Sequence, residues 1–254
     1  MEIIIISLVA LVASLLTFFS GFGLGTILTP VLVIFFPVDV AIALTGIVHL
    51  LNNFFKISLV GKQINWQVGI KFGAMAVIGA FIGAQLLLQL TNTTVLYSYT
   101  LHNKLFLITP IKLIISLLII IFALFDTVPF LKNIQFSQNK LYPGGLISGF
   151  FGGLSGNQGA LRSMFLLRCG LTKDSFIATG IFIACAVDLT RLTVYFTRLS
   201  SINIQNNLTL LISAILSAFA GAYIGSKLLT LKFVQYTATG MIILVAICLG
   251  AGLL

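Results

Sequence analysis

The residues that could do chemistry are few, and they interrupt long apolar stretches. The first interruption is Ser20-Gly21-Phe22-Gly23-Leu24-Gly25, and the second is Gly152-Gly153-Leu154-Ser155-Gly156-Asn157-Gln158-Gly159. Glycine weakens a helix by about 1 kcal/mol per residue, so both stretches predict a broken helix. A helix that restarts after a break presents free N–H groups and its positive dipole end, which favour an anion.

Arg162 is the most conspicuous charged side chain, because it lies three residues after Gly159 in the apolar run from Ala160 to Leu167. An ionised group at membrane depth costs about 2.5–3.5 kcal/mol or more, so Arg162 needs a partner. One hypothesis makes that partner an anion, whose oxygens match the guanidinium fork. The alternatives are an internal ion pair with Asp188 and a side chain that reaches the membrane surface.

Two titratable groups are candidates for carrying a proton. Asp188 and Arg191 are three residues apart, which favours an ion pair on one helical face. The alternative makes Asp188 a proton carrier within the membrane. His49 is its rival, since histidine is the side chain that changes charge nearest neutral pH, although a hydrogen-bonded packing role is also open. We favour His49 as the carrier, because Asp188 has Arg191 beside it.

The candidate residues come from the two interruptions, the Thr-Gly pairs and their polar neighbours. For substrate binding they are Ser20, Gly21, Phe22, Gly23, Gly25, Thr26, Thr45, His49, Asn52, Ser155, Gly156, Asn157, Gln158, Gly159, Arg162 and Thr179. For proton coupling they are His49 and Asp188. The sequence has no P-loop, no G-x-S-x-G and no metal-ligand spacing among its two histidines and three cysteines. We therefore expect no catalytic residues, no metal and no cofactor.

The composition places these residues in a membrane. Hydrophobic residues make up 59% of the chain and charged residues 7%, whereas a soluble domain carries about 25% charged residues. The net charge of +9 comes largely from short connections and segment ends, as with Lys56 and Arg191, which is typical of headgroup anchoring. No basic run alternates with aromatic residues, so nucleic acid is not an expected partner. The expected partners are the lipid bilayer and a small anionic substrate, and assembly into homo-oligomers is left open.

Eight apolar stretches are long enough to cross a bilayer, which takes about 20 residues. They are 3–36, 38–56, 66–90, 105–125, 142–167, 174–197, 207–229 and 233–254. They predict an all-α integral membrane protein with a first membrane repeat (1–125), a connecting loop (126–141) and a second membrane repeat (142–254). The first helix of each repeat is broken by glycines. Eight full crossings would make the repeats parallel, whereas re-entrant broken segments would make them inverted.

A second duplicated phrase supports the repeat. Gly79-Ala80-Phe81-Ile82-Gly83-Ala84-Gln85-Leu86-Leu87 is matched by Gly221-Ala222-Tyr223-Ile224-Gly225-Ser226-Lys227-Leu228-Leu229, and Thr45-Gly46 by Thr179-Gly180. Small residues four apart let two helix backbones approach closely. We therefore interpret the first pair of phrases as tight helix packing.

These features resemble the TauE/SafE sulfite-exporter family, also grouped as the toluene-sulfonate uptake permeases. The resemblance rests on the Gly-rich break leading to Pro30, on Thr45-Gly46 in the second segment and on the four-plus-four duplication, and it covers nearly the whole chain. It implies a transporter of sulfite, organosulfonates or other small anions. The second copy departs from the family pattern, because Asn157-Gln158-Gly159 leads to Arg162 and to no proline.

The functional hypothesis is a secondary transporter in the cell membrane. The substrate that the resemblance implies is sulfite or another sulfur-containing oxyanion or organosulfonate, bound at the interface of the two repeats. One alternative is a passive anion channel, which needs no titratable coupling group. Another is a non-transporting membrane scaffold whose glycines only pack helices.

Overall fold

The structure, a computed structural model, describes residues 2–20, 24–101, 104–132, 134–201, 204–227 and 232–254. Its helices are α1 (Glu2–Ser20), α2 (Gly25–Val33), α3 (Val38–Val60), α4 (Trp66–Thr91), α5 (Pro110–Thr127), α6 (Pro129–Lys132), α7 (Leu141–Ser155), α8 (Gly159–Leu166), α9 (Lys173–Ser201), α10 (Ile204–Lys227) and α11 (Lys232–Gly250). The strands β1 (Tyr97–Leu101) and β2 (Lys104–Ile108) form an antiparallel hairpin.

The long apolar helices confirm a helical membrane protein. Four spans in the described residues are long and apolar enough to cross a bilayer: Val38–Gln63, Trp66–Thr91, Lys173–Phe196 and Asn207–Lys227. Shorter apolar helices cover Glu2–Thr17 and Pro110–Phe125. Helices α4 and α5 begin at side-chain caps. The amide oxygen of Asn65 accepts a hydrogen bond from Val68 N at 3.0 Å, and the Thr109 hydroxyl accepts one from Lys112 N at 3.4 Å.

The predicted fourth segment, 105–125, begins too early. Residues from Lys104 to Ile108 form β2, and α5 starts only at Pro110. Thr109 is extended and proline favours the first helical position, so the helix begins there. The strands themselves are rich in aromatic and branched residues, which favour a pleated pair. Tyr99 joins this hairpin to the end of α11 by donating its hydroxyl to Ala251 O at 2.7 Å.

Glycines bring two pairs of helices together side by side. A Cβ on Gly79 would overlap the backbone of Leu146, and one on Gly83 would overlap that of Phe150, so α4 and α7 run parallel in close contact. A Cβ on Gly221 would overlap the carbonyl of Leu11 in the same way, which brings α10 against α1. The prediction that both copies of the duplicated phrase serve helix packing is confirmed at these glycines.

The helices α3 and α9 cross the centre of the molecule in opposite directions. A Cβ on Gly46 would lie 3.3 Å from the guanidinium carbon of Arg191, and His49 contacts Asp188. Later residues of α3 therefore meet earlier residues of α9. The interpretation of Arg191 as a charge in a connection or at a segment end is wrong: α9 continues to Ser201, and Arg191 is 0% exposed in its interior.

Each broken segment is a helical hairpin. Leu8 and Val12 of α1 line the same groove as Ile27 and Val31 of α2, so α2 lies back along α1. In the second half a Cβ on Gly144 in α7 would overlap the ring of Phe165 in α8, which places the end of α8 beside the start of α7. Neither pair of helices is one long rod, and the second bend, at Gly156, is buried in the protein.

Gly149→Ala tests the contact between α4 and α7. A Cβ on Gly149 would overlap the carbonyl of Ala76, so the two helices must separate. We expect a loss of about 1–3 kcal/mol in the free energy of unfolding, typical of overpacking, visible as a lower melting temperature of the purified protein.

Gly240→Ala is the matched control for this change. Among the described residues nothing lies within 4 Å of a Cβ at Gly240, and alanine favours a helix by about 1 kcal/mol over glycine. Equal melting temperatures for the two variants would contradict the close contact of α4 and α7.

Candidate functional site

The second hairpin bends at a glycine. Helix α7 ends at Ser155, Gly156 has φ 79°, and α8 starts at Gly159. This left-handed conformation suits glycine because a Cβ is absent. The Ser155 hydroxyl accepts a hydrogen bond from Asn157 N at 3.3 Å, which satisfies one backbone donor at the bend. The interruption predicted within 152–160 is confirmed.

The first hairpin bends between Ser20, where α1 ends, and Gly25, where α2 begins. Gly21, Phe22 and Gly23 lie outside the described residues, as does the side chain of Ser20. The start of α2 meets the second bend, because a Cβ on Gly25 would lie 3.1 Å from the carbonyl oxygen of Gly156. The second interruption therefore lies against the helix that follows the first one.

Two amide side chains are buried at this meeting point. Asn157 is 1% exposed and Gln158 is 2% exposed. Among the described residues, neither amide atom of Asn157 nor the amide oxygen of Gln158 has a hydrogen-bond partner. A buried polar group without a partner is costly and native structures hold few of them. The bends therefore offer polar groups that water or a ligand can satisfy.

A buried polar network connects α3 to α9. His49 Nδ1 lies 2.6 Å from one carboxylate oxygen of Asp188, and Arg191 Nε donates to the other oxygen at 2.9 Å. Asn53 adds a long hydrogen bond to Asp188, at 3.4 Å. The predicted Asp188–Arg191 pair is confirmed. The two candidates for a proton carrier, His49 and Asp188, contact each other and thereby join the two halves of the chain.

Arg191 also supports the second bend. A Cβ on Gly156 would lie 2.8 Å from its Nη1, so the guanidinium packs directly against the left-handed residue. One turn further along α9, the hydroxyl of Tyr195 donates to the carbonyl of Gly153. Arg191 and Tyr195 together hold the end of α7 against α9.

A small cavity lies between the hairpins and the α3–α9 pair, with a volume of about 30 Å³. Its polar lining consists of Thr17, His49, Asn53, Lys56, Arg162 and Ser163. Helices α1 and α3 of the first half and α8 and α9 of the second half contribute to its wall. Of the candidate residues, His49 and Arg162 reach this cavity.

Four polar residues of the lining were not among the sequence candidates, and Lys56 is the charged one; the other three are Thr17, Asn53 and Ser163. The position of Lys56 near the end of an apolar stretch suggested an anchor in the headgroup region, but α3 continues to Val60 and Lys56 is 4% exposed. Phe176 and Ile177 at the start of α9 line the cavity beside it. No sequence signal separates this buried lysine from a surface one, because the covering helix lies about 120 residues away.

The other candidate residues support the backbone around the cavity. Thr45 accepts a hydrogen bond from the Thr29 hydroxyl at 3.2 Å. Asn52 accepts one from Ser14 at 3.1 Å, and Thr179 accepts one from Asn65 N at 2.9 Å. Thr26 is buried in α2, next to the first bend.

Metal ligands are not grouped in the part of the chain that the structure describes. No set of three or more His, Cys, Asp or Glu side chains lies close enough there to hold an ion. Cys169, Cys185 and Cys248 are free thiols. The polar lining of the cavity holds one imidazole beside an amide, hydroxyls and two cationic side chains, and the cations suit an anion better than a metal.

Asp188→Asn tests the buried network. The change leaves Arg191 buried beside a neutral side chain, and removing one partner of a buried ion pair typically costs about 3–5 kcal/mol. We expect a marked fall in the melting temperature of the purified protein. Asp174→Asn, an exposed carboxylate in the first turn of the same helix, is the control. If both variants have the melting temperature of the wild type, the network does not stabilise the fold.

The sequence profile of the family described as Sulfite exporter TauE/SafE matches residues 6–253. Searches of curated proteins and of solved structures found no significant match. The match covers nearly the whole chain, so this protein belongs to the TauE/SafE family, whose members are membrane transporters of sulfur-containing anions.

Proposed function

We propose that this TauE/SafE-family protein is a secondary transporter of a small sulfur-containing oxyanion, such as sulfite, in the cell membrane, which its chain crosses several times. The substrate binds in the cavity between the hairpin bends and the α3–α9 pair. The observation that carries the proposal is that this cavity is lined by Arg162 and closed by both halves of the chain.

An inverted repeat accounts for the helix pairings. The long helix of the first hairpin, α1, packs on α10 of the second half. The long helix of the second hairpin, α7, packs on α4 of the first half. The central helices α3 and α9, which are second in their halves, run antiparallel. Re-entrant hairpins in inverted halves are a common plan of secondary transporters, with the substrate site at the repeat interface. Small movements of one half against the other would open the cavity to either side.

Arg162 supplies the recognition chemistry. It is 7% exposed, lies in the first turns of α8 after the second bend, and reaches the cavity. Its planar guanidinium presents donors in a fork that fits two oxygens of a sulfur oxyanion. The amides of Asn157 and Gln158 at the bend offer further polar groups along the path between the halves.

The two alternative functions, a passive anion channel and a membrane scaffold, predict different experimental results. A passive anion channel would conduct without changing its pH response when His49 is replaced. A membrane scaffold would show no sulfite flux in proteoliposomes and no thermal shift with sulfite. The cavity with its buried cations favours a transporter over a scaffold, because packing alone requires no ionised group at this depth.

Arg162→Ala should abolish sulfite flux into proteoliposomes while the protein remains folded. Arg162→Lys should restore part of it, since lysine keeps the charge and loses the fork. Arg168→Ala is the control, because Arg168 is exposed in the turn after α8 and hydrogen bonds Gln135. Normal flux in Arg162→Ala would contradict the proposed site.

The contact of His49 with Asp188 is proposed to carry the coupling proton. A proton bound there changes the charge between α3 and α9, and thus the balance between arrangements of the two halves. We expect the wild-type flux to vary with pH and the His49→Gln flux to lose that variation. Superimposable pH profiles would leave the membrane potential as the driving force. That force is about 4.6 kcal/mol per 100 mV for a dianion leaving an inside-negative cell.

A further inference from the structure

We infer that the start of α2 and the second bend form a second oxyanion site around Asn157, which favours ions that carry an O–H group. Hydrogensulfite, the singly protonated form of sulfite, is such an ion. The inference rests on the proposed transport function and names the form of the substrate that passes between the two halves of the chain. It also assigns Asn157 a role in specificity, apart from the cavity that Arg162 lines.

Asn157 is a buried amide that the protein leaves unsatisfied. Its side chain is 1% exposed, and neither Nδ2 nor Oδ1 has a hydrogen-bond partner among the described residues. An unpaired buried donor and an unpaired buried acceptor each cost free energy, and native proteins hold few such groups. A flip of the amide changes nothing here, because both atoms lack a partner. The side chain therefore has both a donor and an acceptor available for a ligand.

Two short helices begin beside this amide. A Cβ on Gly25, the first residue of α2, would lie 3.7 Å from Asn157 Oδ1, and α8 begins two residues after Asn157. In the described structure, the side chains of Leu24 and Gln158, which precede the two helices, do not cap them. The start of a helix carries partial positive charge and backbone N–H groups without helical partners. The two starts therefore favour an anion beside Asn157.

The acceptor groups at the bend decide which anion fits. The carbonyl oxygen of Gly156 would lie 3.1 Å from a Cβ on Gly25, so it is close to the start of α2, as is Asn157 Oδ1. An oxyanion without hydrogen can accept from Asn157 Nδ2, but it cannot satisfy an amide or carbonyl oxygen. An ion with one O–H group can donate to such an oxygen and accept from N–H groups with its other oxygens. A site that contains both kinds of group therefore favours the singly protonated ion.

The second site lies about one helical turn from the cavity. Arg162 N donates to Gln158 O at 2.9 Å across the first turn of α8, and Asn157 comes directly before that turn. The residues around Asn157 are close together in this structure, so an ion reaches it when the start of α2 moves away from the second bend. An ion that leaves Arg162 along α8 toward the bend reaches Asn157 one turn later.

Phosphate and sulfate are matched probes of this site. In mildly alkaline buffer both are tetrahedral dianions of similar size, and phosphate carries one O–H group whereas sulfate carries none. Arg162→Ala removes the guanidinium from the cavity, so that the second site can be measured. We expect this variant, in lipid nanodiscs, to bind phosphate about tenfold more tightly than sulfate, because sulfate leaves the buried amide oxygen unpaired. Thermal shifts over a concentration series of each ion, at constant ionic strength, give the two affinities. Equal affinities, or binding of neither ion, would overturn the inference.

Variants of Asn157, each made in the Arg162→Ala protein, assign the preference. Asn157→Leu keeps the approximate size of the side chain and removes its polar atoms, so the two affinities should become nearly equal. Asn157→Ser should keep part of the preference, because a hydroxyl both donates and accepts. Gln63→Leu, at an exposed amide in the connection after α3, should leave the preference unchanged. A preference that persists in Asn157→Leu would show that the amide holds only water, and the inference would fail.

Sulfite flux in the wild type separates this inference from the proposed function. If the wild type transports sulfite while Arg162→Ala shows no preference for phosphate, only the second site fails. If the wild type transports no sulfite and the preference of Arg162→Ala still depends on Asn157, the second site stands and the proposed function fails.

Discussion

The ion pair between Asp188 and Arg191 is the interaction on which the interior depends. Arg191 satisfies one oxygen of Asp188, and the other oxygen binds His49 on the facing helix. The same guanidinium packs against Gly46 of α3 and Gly156 of the second bend. A buried charge is tolerable only when its partners are fixed. The pair thus joins three elements that must meet for the cavity to exist.

The glycines of the long helices serve close helix packing, not backbone flexibility. Gly79, Gly83 and Gly221 leave room for neighbouring backbones, so that each long helix of a hairpin lies against a crossing helix of the other half. Non-helical backbone at membrane depth is tolerated where protein or a polar cavity surrounds it. Close helix packing fixes each hairpin against the other half of the chain, and the start of α2 and the second bend meet in the interior.

Much of the fold follows from the sequence, because glycine clusters and apolar length are local signals. They predicted the break at Gly156 and the packing at Gly79. The β-hairpin before Pro110 was missed, since a short apolar strand and the start of an apolar helix look alike. Lys56 was placed at the surface, and His49 and Asp188 were treated as rivals. Those errors share one cause: burial by α9 and a contact across 139 positions are properties of the folded chain.

The most direct test of the central claim is the position of a bound oxyanion. Selenate is a dianion whose selenium scatters X-rays anomalously, so a crystal of the full chain grown with selenate would locate it without ambiguity. The account predicts an anomalous peak in the cavity, within hydrogen-bonding distance of Arg162. A peak confined to the outer surface, with the cavity holding only water in crystals of protein that transports selenate, would contradict it.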